Sequence, residues 1–342
     1  MTLNLSKLKK SFIKKYLKRI CYNKSKIGFT DINSFNISTK AENDSKNTMR
    51  ENIIGCIINN RIPEGYYNCS KKWRGLREQT KLYIDKLCKS KNITITSQEC
   101  IHKAGRNNHN DFTFKINGDF EFAVEFKFNA ECVIDTPQFV SPMKPSQYLD
   151  NSFEEFFYSN YLPLIAAEGN LNMPDKEQYL KTIHNNKVEC MKEFKNKYDS
   201  DKTFNKFCKK TDKEAIKKFI SETSLNLEKL SEKLRTSQKD KVYMCYKDGV
   251  LYYDKLNENM YKITKTIHRE KTNYVCLTDG GMKIEVKLRF KNGCGIQFPA
   301  FQIKRKIPSV KELKLICKKN KIVSPKIKKD ICKILDENKI IY

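Results

Sequence analysis

From Asp111 to Asn129 apolar and polar residues alternate almost without a break, and a period of two marks strands that bury one face only. In the second half Phe120, Phe122, Val124, Phe126 and Phe128 fall on one side, while Glu121, Ala123, Glu125, Lys127 and Asn129 fall on the other. The first half sets Phe112, Phe114 and Ile116 against Asp111, Thr113 and Lys115, and Asn117-Gly118 marks the turn between the halves. A two-residue loop would pair Phe112 with Ala123 and put aromatic rings on both faces. A three-residue loop of Asn117, Gly118 and Asp119 pairs 116 with 120, 114 with 122 and 112 with 124, and all the apolar side chains then share one face. In that register Lys115 lies across from Glu121, and Asp111 lies directly opposite Glu125.

Two carboxylates and one ammonium therefore converge on the polar side of a hairpin whose other side is buried. Glu125 and Lys127 point the same way, about 7 Å apart along the strand. Paired hard-oxygen ligands that leave positions open suit Mg²⁺ or Mn²⁺, which keep several waters and complete their shell with substrate phosphate. Such an ion lowers the pKa of a bound water and offsets charge at phosphorus, while an adjacent lysine orients the nucleophile. The competing reading is an exposed polar hairpin face with ordinary charge alternation.

Asp111, followed fourteen positions later by Glu125-Phe126-Lys127 in a strand, resembles the Asp…Glu-x-Lys signature of the PD-(D/E)XK, or restriction-endonuclease-like, nuclease superfamily. Asn110 stands where the family's name has proline. The resemblance covers about residues 70–165. It implies a mixed α/β fold with an αβββα core, Asp111 and Glu125 as metal ligands with the Phe126 carbonyl as a further one, and Lys127 as the catalytic lysine. It also implies hydrolysis by direct attack of metal-activated water on DNA, with no covalent enzyme intermediate. An acidic residue from the first helix accompanies the site in some members, and Glu78 is the candidate, although a helical wheel sets it nearly opposite the apolar stripe of Trp73, Leu76, Thr80, Tyr83, Ile84 and Leu87. Gln138, in the polar segment after the Glu-x-Lys strand, resembles a residue that meets metal-bound water or phosphate, and it equally reads as a turn residue capping the next helix. Lys103 and Arg106, in the loop that leads into Asp111, are suited to phosphate contact. His109 in that loop is a surface histidine or a general base.

The remainder of the chain divides by composition. Of a net charge of +27, residues 1–30 supply nine Lys/Arg and no acid, and residues 304–329 supply eleven with the single acid Glu312. Concentration at the two ends looks like arms that grip phosphates, with solvated tails as the alternative. The expected domains are a basic arm and linker (1–50), a nuclease core (51–165), a helical insertion (166–240), strands completing the core (241–307) and a basic helical hairpin (308–342) that weakly resembles a SAP-type DNA-binding motif. Ser70 is expected to cap a helix to about Lys89, and Ile93–Ile101 has strand composition. The basic first 26 residues, with apolar positions at helical spacing, also read as an organelle presequence, but their cations are mostly Lys where such peptides favour Arg.

Thirteen scattered cysteines with no Cys-x-x-Cys pair suit a reducing intracellular compartment, the cytoplasm or nucleus. No apolar run approaches the roughly 18 to 20 residues of a membrane span, so no membrane partner is expected. The many Lys, Asn and Ile residues match an AT-rich genome, such as a virus's, and by extension a viral factory or virion. A homodimer is compatible with the pattern, which does not encode oligomeric state. The rival to a deoxyribonuclease is a non-catalytic, basic nucleic-acid-binding or packaging protein, and an RNA-processing nuclease with the same trio differs from the first reading only in substrate.

Overall fold

The computed structural model describes residues 19–23, 25–36, 40–103, 108–130, 133–136, 138–140, 144–185, 188–291 and 298–306. They form a mixed α/β protein of two compact units, one drawn from Met1–Val133 and Ser237–Leu256, the other from Ile134–Thr236 and Asn257–Tyr342. Among the described residues no helix is long and apolar enough to cross a membrane. Residues 1–18 and 307–342, with most of the two basic arms and the SAP-like hairpin, lie outside the described residues.

The first unit opens with a small hairpin, β1 (Ile20–Tyr22) and β2 (Ser25–Ile27), and a 3-10 turn over Phe29–Phe35. Three helices follow, α1 (Lys40–Ile58), α2 (Glu64–Cys69) and α3 (Lys71–Lys89). Ser70 caps α3 as expected, its hydroxyl accepting from the Trp73 amide at 3.4 Å. The expected linker over 31–50 is instead 3-10 turn and helix. Its sequence, rich in Asn and Ser, carries few apolar residues before Met49, so helical periodicity is not visible there.

Next come β3 (Gln98–His102), β4 (Phe112–Ile116) and β5 (Phe120–Phe128). The first starts five residues later than its composition suggests, because Thr94 and Thr96 bind a turn rather than a neighbouring strand. Asn117 Oδ1 accepts from the Thr96 amide at 2.7 Å and the Ser97 amide at 3.1 Å, and its Nδ2 donates to the Thr94 carbonyl at 2.7 Å. Asn117 and Gly118 both take positive φ, 56° and 80°. The loop has three residues, with Ile116 paired to Phe120, Phe114 to Phe122 and Phe112 to Val124, the register that the hydrophobic pattern demanded. Phe120, at the open end, is 45% exposed and does not join the buried face.

The chain then enters the second unit through the short β6 (Gln138–Phe139) and a run of helices: α4 (Phe153–Asn160), α5 (Leu162–Gly169), α6 (Lys176–Thr182), α7 (Lys192–Ser200), α8 (Lys202–Glu222) and α9 (Leu227–Gln238). It returns to the first unit for β7 (Lys241–Lys247) and β8 (Val250–Asp254), and ends in the second with β9 (Ile263–Glu270), β10 (Asn273–Thr278), β11 (Lys283–Phe290) and β12 (Pro299–Arg305). The first sheet has order β3-β4-β5-β7-β8, antiparallel except for the parallel pair β5–β7, and the second is antiparallel with order β6-β12-β11-β10-β9.

Three expected boundaries are thereby corrected. Residues from Ile134 onward are not part of the core expected over 51–165. The helices of 166–240 are no insertion but half of a second unit, and of the strands in 241–307 only β7 and β8 complete the first sheet. Periodicity shows that a segment is a strand and is silent on which sheet receives it. The order helix, three strands is met by α3 to β5, and the next helix, α4, falls in the second unit.

The core of the first unit lies on the apolar side of its sheet. Phe112, Phe114, Phe122, Val124, Phe126, Val242 and Met244 pack with Ile53, Ile54 and Ile57 of α1 and Trp73, Tyr83 and Leu87 of α3. Tyr83 meets Phe114 edge-on at 6.4 Å and donates to the Tyr243 carbonyl at 3.1 Å, tying α3 to the fourth strand. Because Asn117 combines left-handed backbone with several hydrogen bonds, Asn117→Gly should lower stability by about 1 kcal/mol and Asn117→Ala by more, since alanine also resists positive φ. Urea unfolding of the two variants measures both.

Candidate active site

Asp111 stands one residue before β4 and is pinned on three sides. Its amide donates to the Val124 carbonyl at 3.0 Å, its carbonyl accepts from the Lys103 amide at 2.9 Å, and its Oδ2 accepts from the Phe126 amide at 2.9 Å. The side chain is thus held against the segment that carries Glu125 and Lys127. Alternation in β5 sends Phe126 into the core and leaves Glu125 and Lys127 on the opposite face, so only the main chain of Phe126 can serve the site.

Glu125 is flanked by two ammonium groups. Lys127 Nζ donates to Oε1, and Lys241 Nζ donates to Oε2 at 2.5 Å. Lys241 opens β7 and pairs in parallel with Ala123, which places it on the same face as Glu125. A third acid, Glu51, comes from α1 next to Arg50, whose guanidinium sits 3.5 Å over the Phe128 ring and whose Nε donates to the Ser34 carbonyl at 2.7 Å. These contacts hold that turn of α1, while Glu51 feels the charges of Asp111, Glu125 and Lys127.

The electrostatics divide the acids. Burial, then repulsion from Asp111, pushes the Glu51 carboxyl up to about 8. Burial, then the Glu125 charge, pushes Asp111 up to about 6, against the opposing pull of Lys127, the Phe126 amide and Lys241. Burial would also raise Glu125, but Lys127 and Lys241 outweigh it and hold that carboxylate below its ordinary range. Lys127 is raised in turn: burial lowers it, and Glu125 and Asp111 more than compensate. At neutral pH Glu125 is therefore an anion between two cations, with a largely protonated Glu51 nearby. Glu51, Asp111, Glu125 and Lys127 all remain partly exposed, so solvent reaches the cluster.

Among the described residues no group of three or more His, Cys, Asp or Glu side chains stands ready to hold a metal ion. The chemistry of the donor set nevertheless fits a hard divalent cation, since Asp111, Glu125 and Glu51 bring carboxylate oxygens. Burial and mutual repulsion make Glu51 and Asp111 hold their protons to higher pH than ordinary carboxyls, and a cation can replace such protons. Glu125 would exchange one of its lysine contacts for the ion.

The other residues singled out in the sequence fare unequally. Lys103 reaches the site through its backbone and keeps an exposed side chain, whereas Arg106 lies outside the described residues. Glu78 is exposed on α3, and Glu51 of α1 is the helix carboxylate that meets the trio. Gln138 belongs to the second unit, where it is 3% exposed and its Nε2 donates to Thr136 Oγ1 at 3.1 Å; a side chain so enclosed does not present itself to a phosphate. Glu51 and Lys241 escaped sequence reasoning. The first sits in a segment without visible periodicity, and the second is joined to Glu125 by a parallel pairing across more than a hundred residues.

The Glu51 shift has a consequence for stability. Its folded pKa lies above the unfolded one, so the folded state holds an extra proton between about pH 4.5 and pH 8, and stability falls as pH rises through that window. Glu51→Gln removes the effect. In metal-free buffer the variant should melt roughly 3 °C or more above the wild type at pH 8.5 and close to it at pH 4.5, as read by circular dichroism. Comparison of this chain with protein-family models, curated proteins and solved structures finds no match, and the chemistry of the site is argued from its own residues.

Proposed function

We propose that this protein is a Mg²⁺-dependent DNA nuclease, with a restriction-endonuclease-like core in its first unit. The observation that carries the reading is the meeting of Asp111, Glu125 and Lys127 on one face of a hairpin, joined there by Glu51. Asp111, Glu125 and the Phe126 carbonyl would hold the cation, which when bound lowers the pKa of a water and offsets the charge that develops at phosphorus. Asp111 is oriented for this by the Phe126 amide. Lys127, released from Glu125, would donate to the attacking water or to a non-bridging phosphate oxygen. Lys241 remains as the counter-charge of Glu125. Glu51, protonated at neutral pH, is a neutral donor beside the phosphate or a third carboxylate once its proton leaves. Hydrolysis by direct attack of water requires no covalent enzyme intermediate.

A second reading has its own support. Both oxygens of Glu125 are engaged by lysines, as in an ion cluster that serves only to join β5 to β7. The protein would then be a non-catalytic, basic nucleic-acid-binding or packaging protein.

The two readings part in one set of experiments. The full chain incubated with plasmid or single-stranded DNA and Mg²⁺ or Mn²⁺ should cleave it, and Asp111→Ala and Lys127→Ala should each reduce the rate by about 100-fold or more. Cleavage that persists equally in both variants would eliminate the assignment. Mg²⁺ should raise the melting temperature of the wild type, by mass action, and not that of Glu125→Gln. An equal response in the two proteins, or none in either, supports the non-catalytic reading.

A further inference from the structure

The second unit contains a cleft of about 880 Å³, lined by one face of α8, the turn between β9 and β10, and the end of β11. Seven of its fourteen lining residues are Lys or Arg and two are acidic. Lys209, Lys213 and Lys217 follow one another at i, i+4 and i+8 along α8, Lys271 comes from the turn, and Lys287 and Arg289 share one face of β11. Like charges at i, i+4 destabilise a helix. Elsewhere on α7 and α8 lysines are neutralised locally, as in the pairs Lys195–Asp199, Lys197–Asp201 and Lys218–Glu222. Lys213, Lys217 and Lys271 have no such acid among the described residues, and the cleft has a net positive wall on both sides.

One of its two acids is enclosed. Asp212 is 6% exposed, and its Oδ1 has no hydrogen-bond partner. Burial holds its carboxyl well above the usual range, and Oδ1 keeps its hydrogen-bonding capacity unspent. Ile216, Leu288 and Phe290 close the cleft from beneath at 4%, 0% and 7% exposure, so the groups that face an occupant are the charged ones. A cleft of this volume with basic residues on facing walls admits the backbone of a single strand but not the width of a duplex.

We propose that this cleft binds single-stranded nucleic acid, with the lysines of α8 and the β9–β10 turn holding successive phosphates. It is a binding site of its own, and its occupancy does not depend on the carboxylate cluster of the first unit.

The test uses the full chain in EDTA, which prevents metal-dependent cleavage, and a fluorescent 15-nucleotide oligothymidylate read by anisotropy across a KCl series. The triple variant Lys213→Glu, Lys217→Glu, Lys271→Glu should bind at least 10-fold more weakly at 0.1 M KCl. Its slope of log affinity against log salt should be shallower by about 2, three phosphate contacts at about 0.7 each. A control with the same change in net charge, Lys176→Glu, Lys181→Glu, Lys229→Glu, should stay within about twofold of the wild type. Equal weakening in the two triple variants, or wild-type binding by the cleft variant, overturns the proposal. So does weakening seen only with duplex of the same length. In the unmutated protein, bound oligonucleotide should shield Lys213 and Lys217, but not Lys176, from an amine-acylating reagent; uniform labelling with and without the strand also overturns it. Because no metal is present, failure here leaves the nuclease reading standing, and loss of cleavage in Asp111→Ala leaves this one standing.

Discussion

The antiparallel register between Phe112–Ile116 and Phe120–Phe128 is the constraint on which the site depends. With the pairing of Phe112 to Val124, Asp111 and Glu125 meet on one face; slipped by one residue, they would part to opposite faces and the aromatic side chains would be half exposed. Burial of Phe112, Phe114, Phe122, Val124 and Phe126 therefore selects the geometry of charged groups that make no apolar contact themselves. The Asn117 turn supports the same register from the other end, through its left-handed backbone and its bonds to residues 94–97. Core packing and site assembly are one event in this hairpin.

Once assembled, the acids are not equivalent. Lys127 and Lys241 side with Glu125, leaving Asp111 and Glu51 to share the cost of burial and of mutual repulsion. Low dielectric strengthens each of these terms, so modest displacements of a lysine redistribute the protons among the three carboxyls. A cluster of this kind is poised toward incoming charge, whether a cation at the carboxylates or a phosphate at the amines. A sealed ion pair would lack that property, and the partial exposure of all four groups separates this cluster from one.

Positive charge is distributed with similar asymmetry. The sequence places most of the net charge in the two terminal segments, which the described residues largely leave out. Within the second unit Lys195, Lys197 and Lys218 each pair with an acid four residues on, whereas Lys213, Lys217 and Lys271 at the cleft have no such acid among the described residues. The nine cysteines that fall among the described residues are thiols, and packing rather than cross-linking holds each unit.

Much of the first unit was legible because local rules suffice for it. The capped helix after Ser70, the hairpin, its loop length and the meeting of Asp111, Glu125 and Lys127 follow from periods of 3.6 and 2 and from the need to bury aromatic surface once. The helix over Lys40–Ile58 was not legible, since its polar first half has no stripe, and with it went Glu51. Lys241 was equally hidden: a strand's sequence states which face is buried but not which distant strand lies beside it, and the parallel pairing of β5 with β7 spans the whole helical half of the second unit. The same blindness merged two sheets into one expected core and placed Gln138 beside a site whose unit it does not share. What the sequence by itself determined was the chemistry of one hairpin, because neighbouring residues share a strand and its faces alternate. Which helix carboxylate and which second lysine complete it was decided only by the tertiary structure, because contacts between remote segments depend on how whole surfaces pack, and no local pattern records that.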